Sequence, residues 1–105
     1  MIFHLPFLKR GITLTPFLIL IPEWARYNKA YLAHEETHVK QQRKYGVVVF
    51  WYRYLTNKAF RQTMEVEAYK VEIIEGASLE NCAVNLAKGY GLSLSVEEAI
   101  KELSR

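Results

Sequence analysis

"YLAHEETHVKQQ", residues 31–42, contains the spacing on which the expected fold depends. Two histidines, His34 and His38, lie four residues apart, and a carboxylate, Glu35, directly follows the first. On an α-helix, residues i and i+4 lie on the same face one turn apart, so both imidazoles can point at one position. The stretch therefore predicts a helix that presents two histidine nitrogens side by side.

The helix around these histidines has a clearer end than beginning. Helix signals start near Glu23 or Asn28, whereas cations crowd the last turns before Gly46, where a left-handed cap belongs. The next run, "VVVFWYRYLT" at 47–56, is ambiguous. Its β-branched and aromatic composition favours a strand, but its length and its short link to the preceding helix fit a helix equally well.

The remaining segments predict a fold that is mostly helical. Residues 59–76 and roughly 78–88 form helices that stop at glycines, and a last helix follows Ser95, with Glu98 in a capping-box position. Residues 11–22, "GITLTPFLILIP", are predicted to be extended, and Pro16 divides them into two short pieces or places them at a sheet edge. The expected fold class is therefore α+β, with a short N-terminal β element followed by about four helices.

Length and composition predict one small domain of 105 residues in a reducing, cytoplasmic setting. The net charge of +3 comes from scattered basic pairs, which does not favour a dedicated nucleic-acid binder. The single cysteine, Cys82, cannot form an intramolecular disulfide and is expected to be a small buried hydrophobe. The longest apolar run, 17–21, is too short to cross a bilayer, so no membrane insertion is expected.

The spacing around the two histidines is typical of a zinc site. Zinc accepts imidazole nitrogens as ligands, and Glu35 lies about 100° around the helix from His34, where it can reach a water without being a ligand. A third ligand is needed, and His4 and Cys82 are the other histidine and thiol available. A carboxylate on the following helix is the stronger choice.

One face of that following helix combines Glu65 with a small residue, Ala68, that allows close helix approach. Tyr69 and Glu72 share this face, whereas Glu67 points about 200° away from Glu65. Glu65 is therefore the predicted third ligand.

"HEETH" followed by "EVEAY" resembles the gluzincin class of zinc metallopeptidases. At this length, the chain is similar to the minigluzincins, the smallest soluble members of that class, over about residues 12–75. The resemblance implies that His34, His38 and Glu65 bind Zn²⁺ and that Glu35 is the catalytic general base. Tyr69 stands where the family has an aspartate that braces the first histidine, and its hydroxyl is expected to accept that hydrogen bond.

The implied activity is that of a zinc metalloendopeptidase acting on a peptide or protein substrate. Zinc activates a water, and Glu35 takes its proton and passes it to the leaving amine. A strand within 12–21 would rim the cleft and pair with the substrate backbone. By residue type, the candidates for stabilising the oxyanion are Tyr52, Arg53 and Tyr54.

The C-terminal segment, 76–105, has two open roles. The resemblance implies a latent, zymogen-like form, in which the "KGYGLS" joint swings the last helix onto the cleft or exchanges it with a second copy in a homo-oligomer. Alternatively, the apolar stripe of Val96, Ile100 and Leu103 completes the core.

Two other functions compete with the peptidase. The first is a zinc-binding structural or interaction module without turnover, which would not need a carboxylate at Glu35. The second is a small basic adaptor that binds nucleic acid or a partner through "VVVFWYRYLTNKAFR", 47–61, whose aromatic and basic side chains could stack bases.

Overall fold

The computed structural model describes residues 28–105 continuously, together with the backbone of three short strands before them. These strands are β1 (Ile2–Leu5), β2 (Ile12–Thr15) and β3 (Leu18–Pro22). β3 lies between the other two, parallel to β1 and antiparallel to β2. Gly11 and Pro16, on which the prediction for residues 11–22 relied, lie outside the described residues.

The continuously described part consists of five helices. They are α1 (Lys29–Tyr45), α2 (Val47–Thr56), α3 (Lys58–Ile74), α4 (Leu79–Gly89) and α5 (Val96–Leu103). The predicted fold class, α+β with about four helices, is wrong: residues 28–105 contain no strand and are all-α. Within the described residues, none of the helices combines the length and apolar character needed to cross a membrane.

The helix that the prediction of about four did not include is α2, the segment whose composition favoured a strand. Gly46, at φ +84°, both ends α1 and starts α2: its N–H donates to the Gln42 carbonyl, and its carbonyl accepts from the Phe50 N–H. Asn57 links α2 to α3 in the same way, because its N–H donates to the Arg53 carbonyl while its side chain accepts from the next helix. These one-residue links leave no chain with which a strand could reach a partner, and burial of Phe50 outweighs the small helix-propensity cost of β-branched residues.

The last helix begins as the sequence predicted. The Ser95 hydroxyl accepts from the Glu98 N–H at 3.0 Å, and the Glu98 carboxylate accepts from the Ser95 N–H at 2.9 Å. This reciprocal pair satisfies two N–H groups that have no partner inside a helix, and the predicted capping box is confirmed.

The main hydrophobic core lies between α3, α4 and α5. Its buried members are Tyr69, Cys82, Ala83, Leu86, Leu92, Ala99 and Leu103. Val96 and Ile100 pack against it, so the apolar stripe of α5 faces the core. Cys82 is 1% exposed, which confirms that it is a small buried hydrophobe. These contacts support a structural role for residues 76–105.

Truncation of Leu103 should therefore destabilise the whole chain. Leu103→Ala is expected to lower the free energy of unfolding by about 2–4 kcal/mol, since it removes a buried side chain and leaves a cavity. Ile74→Ala, at a side chain that is 81% exposed, is the matched control and should change stability by less than about 0.5 kcal/mol. Urea unfolding followed by circular dichroism measures both. A chain ending at Lys88 that stays folded would show that α5 is not part of the core.

Candidate metal centre

The packing of α1 against α3 brings the three predicted metal ligands together. Nε2 of His34 lies 3.2 Å from Nε2 of His38, and Oε1 of Glu65 lies 3.2 Å from each of these nitrogens. The three atoms form an equilateral triangle. The residues are 3%, 7% and 2% exposed, respectively, so the triangle is shielded from bulk water.

The size of the triangle matches the coordination shell of a small divalent ion. Tetrahedral bonds of about 2.0–2.1 Å place neighbouring ligand atoms about 3.3–3.4 Å apart. The observed separations of 3.2 Å are close to that value, so an ion would need little rearrangement to bind. His34, His38 and Glu65 are therefore a buried cluster that could hold a metal ion.

Gln41 sets the orientation of the His38 ring. Its side-chain nitrogen donates to the Met64 carbonyl at 3.0 Å and to the Glu67 carboxylate at 3.1 Å, which uses both amide hydrogens. Its oxygen therefore faces Nδ1 of His38 at 2.8 Å, and an amide oxygen can only accept. The hydrogen of neutral His38 thus sits on Nδ1, and the lone pair on Nε2 points into the triangle.

Glu72 faces the outer nitrogen of the other histidine, His34. Its Oε1 lies 2.8 Å from Nδ1 of His34 in an ion-pair contact, and neither atom forms a hydrogen bond of regular geometry with a described residue. The Cys82 thiol donates to the other oxygen of Glu72 at 3.7 Å. Burial and the charge of Glu72 raise the pKa of Cys82 to about 12, so the thiol stays protonated and serves as a donor.

The buried carboxylate controls the electrostatics of the cluster. Burial alone would lower the pKa of His34, but the close carboxylates of Glu65 and Glu72 and the nearby negative charge raise it to about 10. Burial would also lower the pKa of His38, but the charge of Glu65 and its hydrogen bond to the ring together raise it. Burial would raise the pKa of Glu65, yet the two histidines hold it well below its usual range. The cluster therefore attracts a cation, which can be a proton or a metal ion.

Tyr54 holds the second oxygen of the same carboxylate. Its hydroxyl donates a short hydrogen bond to Oε2 of Glu65, which leaves Oε1 to face the histidines. Burial and the charge of Glu65 raise the pKa of Tyr54, so the phenol stays protonated. Of the three oxyanion candidates, Tyr54 borders the cluster, whereas Tyr52 is 70% exposed and Arg53 lies over the Phe60 ring.

The other predicted site residues contribute no atom to the triangle. Glu35 is 3% exposed on α1, directly after His34. Tyr69 contacts His34 through its ring, with centroids 4.4 Å apart, and its hydroxyl is hydrogen-bonded to Tyr90. Glu67 is exposed and bonded to Gln41, and the side chain of His4 lies outside the described residues.

Two residues that orient the histidines were not assigned that role from the sequence. Glu72 lies two turns after Glu65 on the same face of α3, so this spacing was a usable signal for a bracing carboxylate. Gln41 follows His38 by three residues, a spacing at which helical side chains meet. Both contacts nevertheless depend on the packing of α1 against α3.

Comparison of the chain with protein-family models, curated proteins and solved structures finds no match. The geometry of the cluster is therefore the observation from which a function is argued.

Removal of the charge that braces His34 should weaken metal binding. Glu72→Gln is expected to raise the Kd for zinc by about 10–100-fold, because partners behind a metal-binding histidine fix its ring orientation and raise its basicity. Glu75→Gln, in a carboxylate paired with Lys29 on the surface, is the control and should leave the Kd unchanged. Isothermal titration of the metal-free chains measures both constants. Equal constants for the two variants would show that Glu72 does not brace the site.

Proposed function

We propose that this protein is a zinc-dependent peptidase whose metal ligands are His34, His38 and Glu65. The supporting observation is the convergence of two imidazole nitrogens and one carboxylate oxygen at separations of 3.2 Å. Two histidines and one glutamate are a known ligand set of catalytic zinc, with the fourth position left open for water or substrate.

The donor set favours zinc over other common divalent ions. Magnesium and calcium prefer oxygen ligands, whereas two of the three atoms here are imidazole nitrogens. Octahedral bonds of about 2.0–2.1 Å would place neighbouring ligands about 2.8–3.0 Å apart, further from the observed separations than the tetrahedral value. Glu35 adds weight, since a carboxylate next to the first ligand is suited to proton transfer during hydrolysis.

A bound zinc ion would supply Lewis-acid chemistry, lowering the pKa of water and polarising a carbonyl group. The protein's own groups would move the protons. Glu35 would accept a proton from the attacking water and return it to the leaving amine. Glu72 and Gln41 would keep the rings of His34 and His38 in the required orientation.

The choice of a peptide bond as substrate rests on the spacing of "HEETH" and "EVEAY" and on its resemblance to gluzincin metallopeptidases. Latency through a swinging α5 is not part of the proposal. Release of α5 would strip Ala99 and Leu103 from the core, at a cost in stability.

A second function is favoured by the burial of the three ligands. A structural metal site that ties α1 to α3 would be enclosed on all sides, as closed zinc sites are. Such a site would bind metal without turnover and would not need Glu35. The two functions therefore differ in one side chain that is not a ligand.

Glu35→Gln separates the two functions. The variant should bind zinc with unchanged stoichiometry, because Glu35 is not a ligand, and should lose about 10²–10⁴-fold in peptide-cleavage rate. Glu36→Gln changes the exposed carboxylate next to it and should cleave at the native rate. Cleavage of an unstructured protein substrate, followed by mass spectrometry, gives the rates. Zinc binding with no cleavage by the native chain would establish the structural alternative.

Metal binding should also be visible as stability. Zinc at about 100 times its Kd should add about 2.7 kcal/mol to the free energy of unfolding, because the ion binds the folded chain preferentially. Glu65→Gln should abolish this gain, and Glu75→Gln, in the surface carboxylate paired with Lys29, should keep it. Thermal unfolding with zinc and with a chelator provides the measurement. A gain that survives in Glu65→Gln would place the metal elsewhere.

A further inference from the structure

The outer face of α2, formed by Val48, Val49, Tyr52 and Leu55, is an exposed apolar surface. These side chains are 82%, 45%, 70% and 69% exposed, respectively. They account for four of the six exposed large hydrophobic side chains among the described residues, so exposure of this kind is concentrated on one short helix. Such concentration marks an interaction surface, whereas single exposed hydrophobic residues are common.

The opposite side of α2 is already used by the fold. Phe50 is 2% exposed, and Tyr54 reaches Glu65 in the metal cluster. Val48 and Tyr52 each lie about 160° around the helix axis from Phe50, on the far side. Clustered apolar side chains are normally covered, and residues 28–105 leave the outer face of α2 largely uncovered.

The stretch of sequence that contains α2 carries charge of one sign. Residues 37–64 include six basic residues and no acidic one. Five of the six are exposed. Arg43 lies just before α2, Arg53 within it and Lys58 just after it, whereas Lys40 and Lys44 line a pocket with the Glu67 carboxylate. The sixth, Arg61, donates to the backbone carbonyls of Tyr54 and Tyr90 and is committed to the fold. A partner that complements this surface must be apolar and anionic.

We propose that the outer face of α2 binds the surface of an anionic lipid bilayer. Its aliphatic and aromatic side chains would enter the boundary between headgroups and acyl chains, while the flanking lysines and arginines would contact anionic headgroups. The ten residues of α2 extend only about 15 Å, half of a hydrocarbon core of about 30 Å. The helix would lie on the membrane and not span it.

Charge and side-chain type favour a lipid surface over a second copy of the chain or a nucleic acid as the partner of this face. A second copy of the chain would bring the same cations face to face with no carboxylate from residues 37–64 to compensate them. A nucleic acid would complement the charge but could stack only on Tyr52, because Val48, Val49 and Leu55 have no aromatic face. A bilayer matches both the charge and the aliphatic side chains.

This binding does not require the proposed peptidase activity. The metal cluster and the outer face lie on opposite sides of α2, and neither the cations nor the exposed hydrophobic residues are metal ligands. Failure of either proposal would leave the other unaffected.

Co-sedimentation of the full chain with lipid vesicles tests the proposal. The chain should sediment with vesicles of mixed phosphatidylcholine and phosphatidylserine, and much less with phosphatidylcholine alone or at high salt. Leu55→Asp should weaken binding by at least about tenfold, since it places a charge in the apolar stripe. Arg53→Ala and Lys58→Ala should each weaken it by about fivefold.

Ile74→Asp is the matched control, because Ile74 is 81% exposed on α3, away from the outer face of α2. Its binding should equal that of the native chain, and circular dichroism should show that every variant is folded. Equal binding to both vesicle types, or native binding by Leu55→Asp, would overturn the proposal. Absence of vesicle binding would also overturn the proposal. Analytical ultracentrifugation and an oligonucleotide gel-shift assay would then show whether this face binds a second copy of the chain or a nucleic acid.

Discussion

The buried charge of Glu65 is the constraint on which the described structure depends. A carboxylate that is 2% exposed is unstable unless its charge is compensated and its oxygens are hydrogen-bonded. The two histidines of α1 face one oxygen, and the hydroxyl of Tyr54 from α2 binds the other. Three helices therefore meet at one side chain, and their packing cannot change without leaving this charge unpaired.

The negative charge of Glu65 requires a nearby positive charge, which a proton or a metal ion can supply. With no metal, the positive charge must come from protons on the histidines, whose pKa values are raised for that reason. A divalent ion would provide the same compensation at the centre of the triangle and release those protons. The same electrostatic requirement that holds the helices together would thus favour metal binding.

α3 connects the cluster to the hydrophobic core. Glu72 contacts His34 through one oxygen and accepts from the Cys82 thiol through the other, so the histidine is linked to α4 through two side chains. The Tyr69 ring packs against His34 with the two ring planes 71° apart, and its hydroxyl is bonded to Tyr90, just after α4. Because α4 and α5 complete this core, the C-terminal segment supports the geometry of the cluster from behind.

The sequence pattern was sufficient to predict the features that depend only on contacts between neighbours within one helix. The spacing of His34 and His38, the capping box at Ser95 and the apolar stripe of α5 follow from helical periodicity alone. The choice of Glu65 over Glu67 also follows, since only Glu65 shares a face with Ala68, which allows α1 and α3 to approach closely.

Only the tertiary structure decided the features that require contacts between helices. Residues 47–56 became a helix because Gly46 and Asn57 link it directly to its neighbours and Phe50 is buried, which no local propensity expresses. This helix is the one beyond the four that the sequence predicted, and it brings Tyr54 to Glu65. The partner of His34 was expected at Tyr69, but the structure assigns the Nδ1 contact to Glu72. Both residues lie on the same face of α3. Which of them contacts the imidazole depends on how α1 and α3 pack against each other, and the helical periodicity of the sequence does not determine that packing.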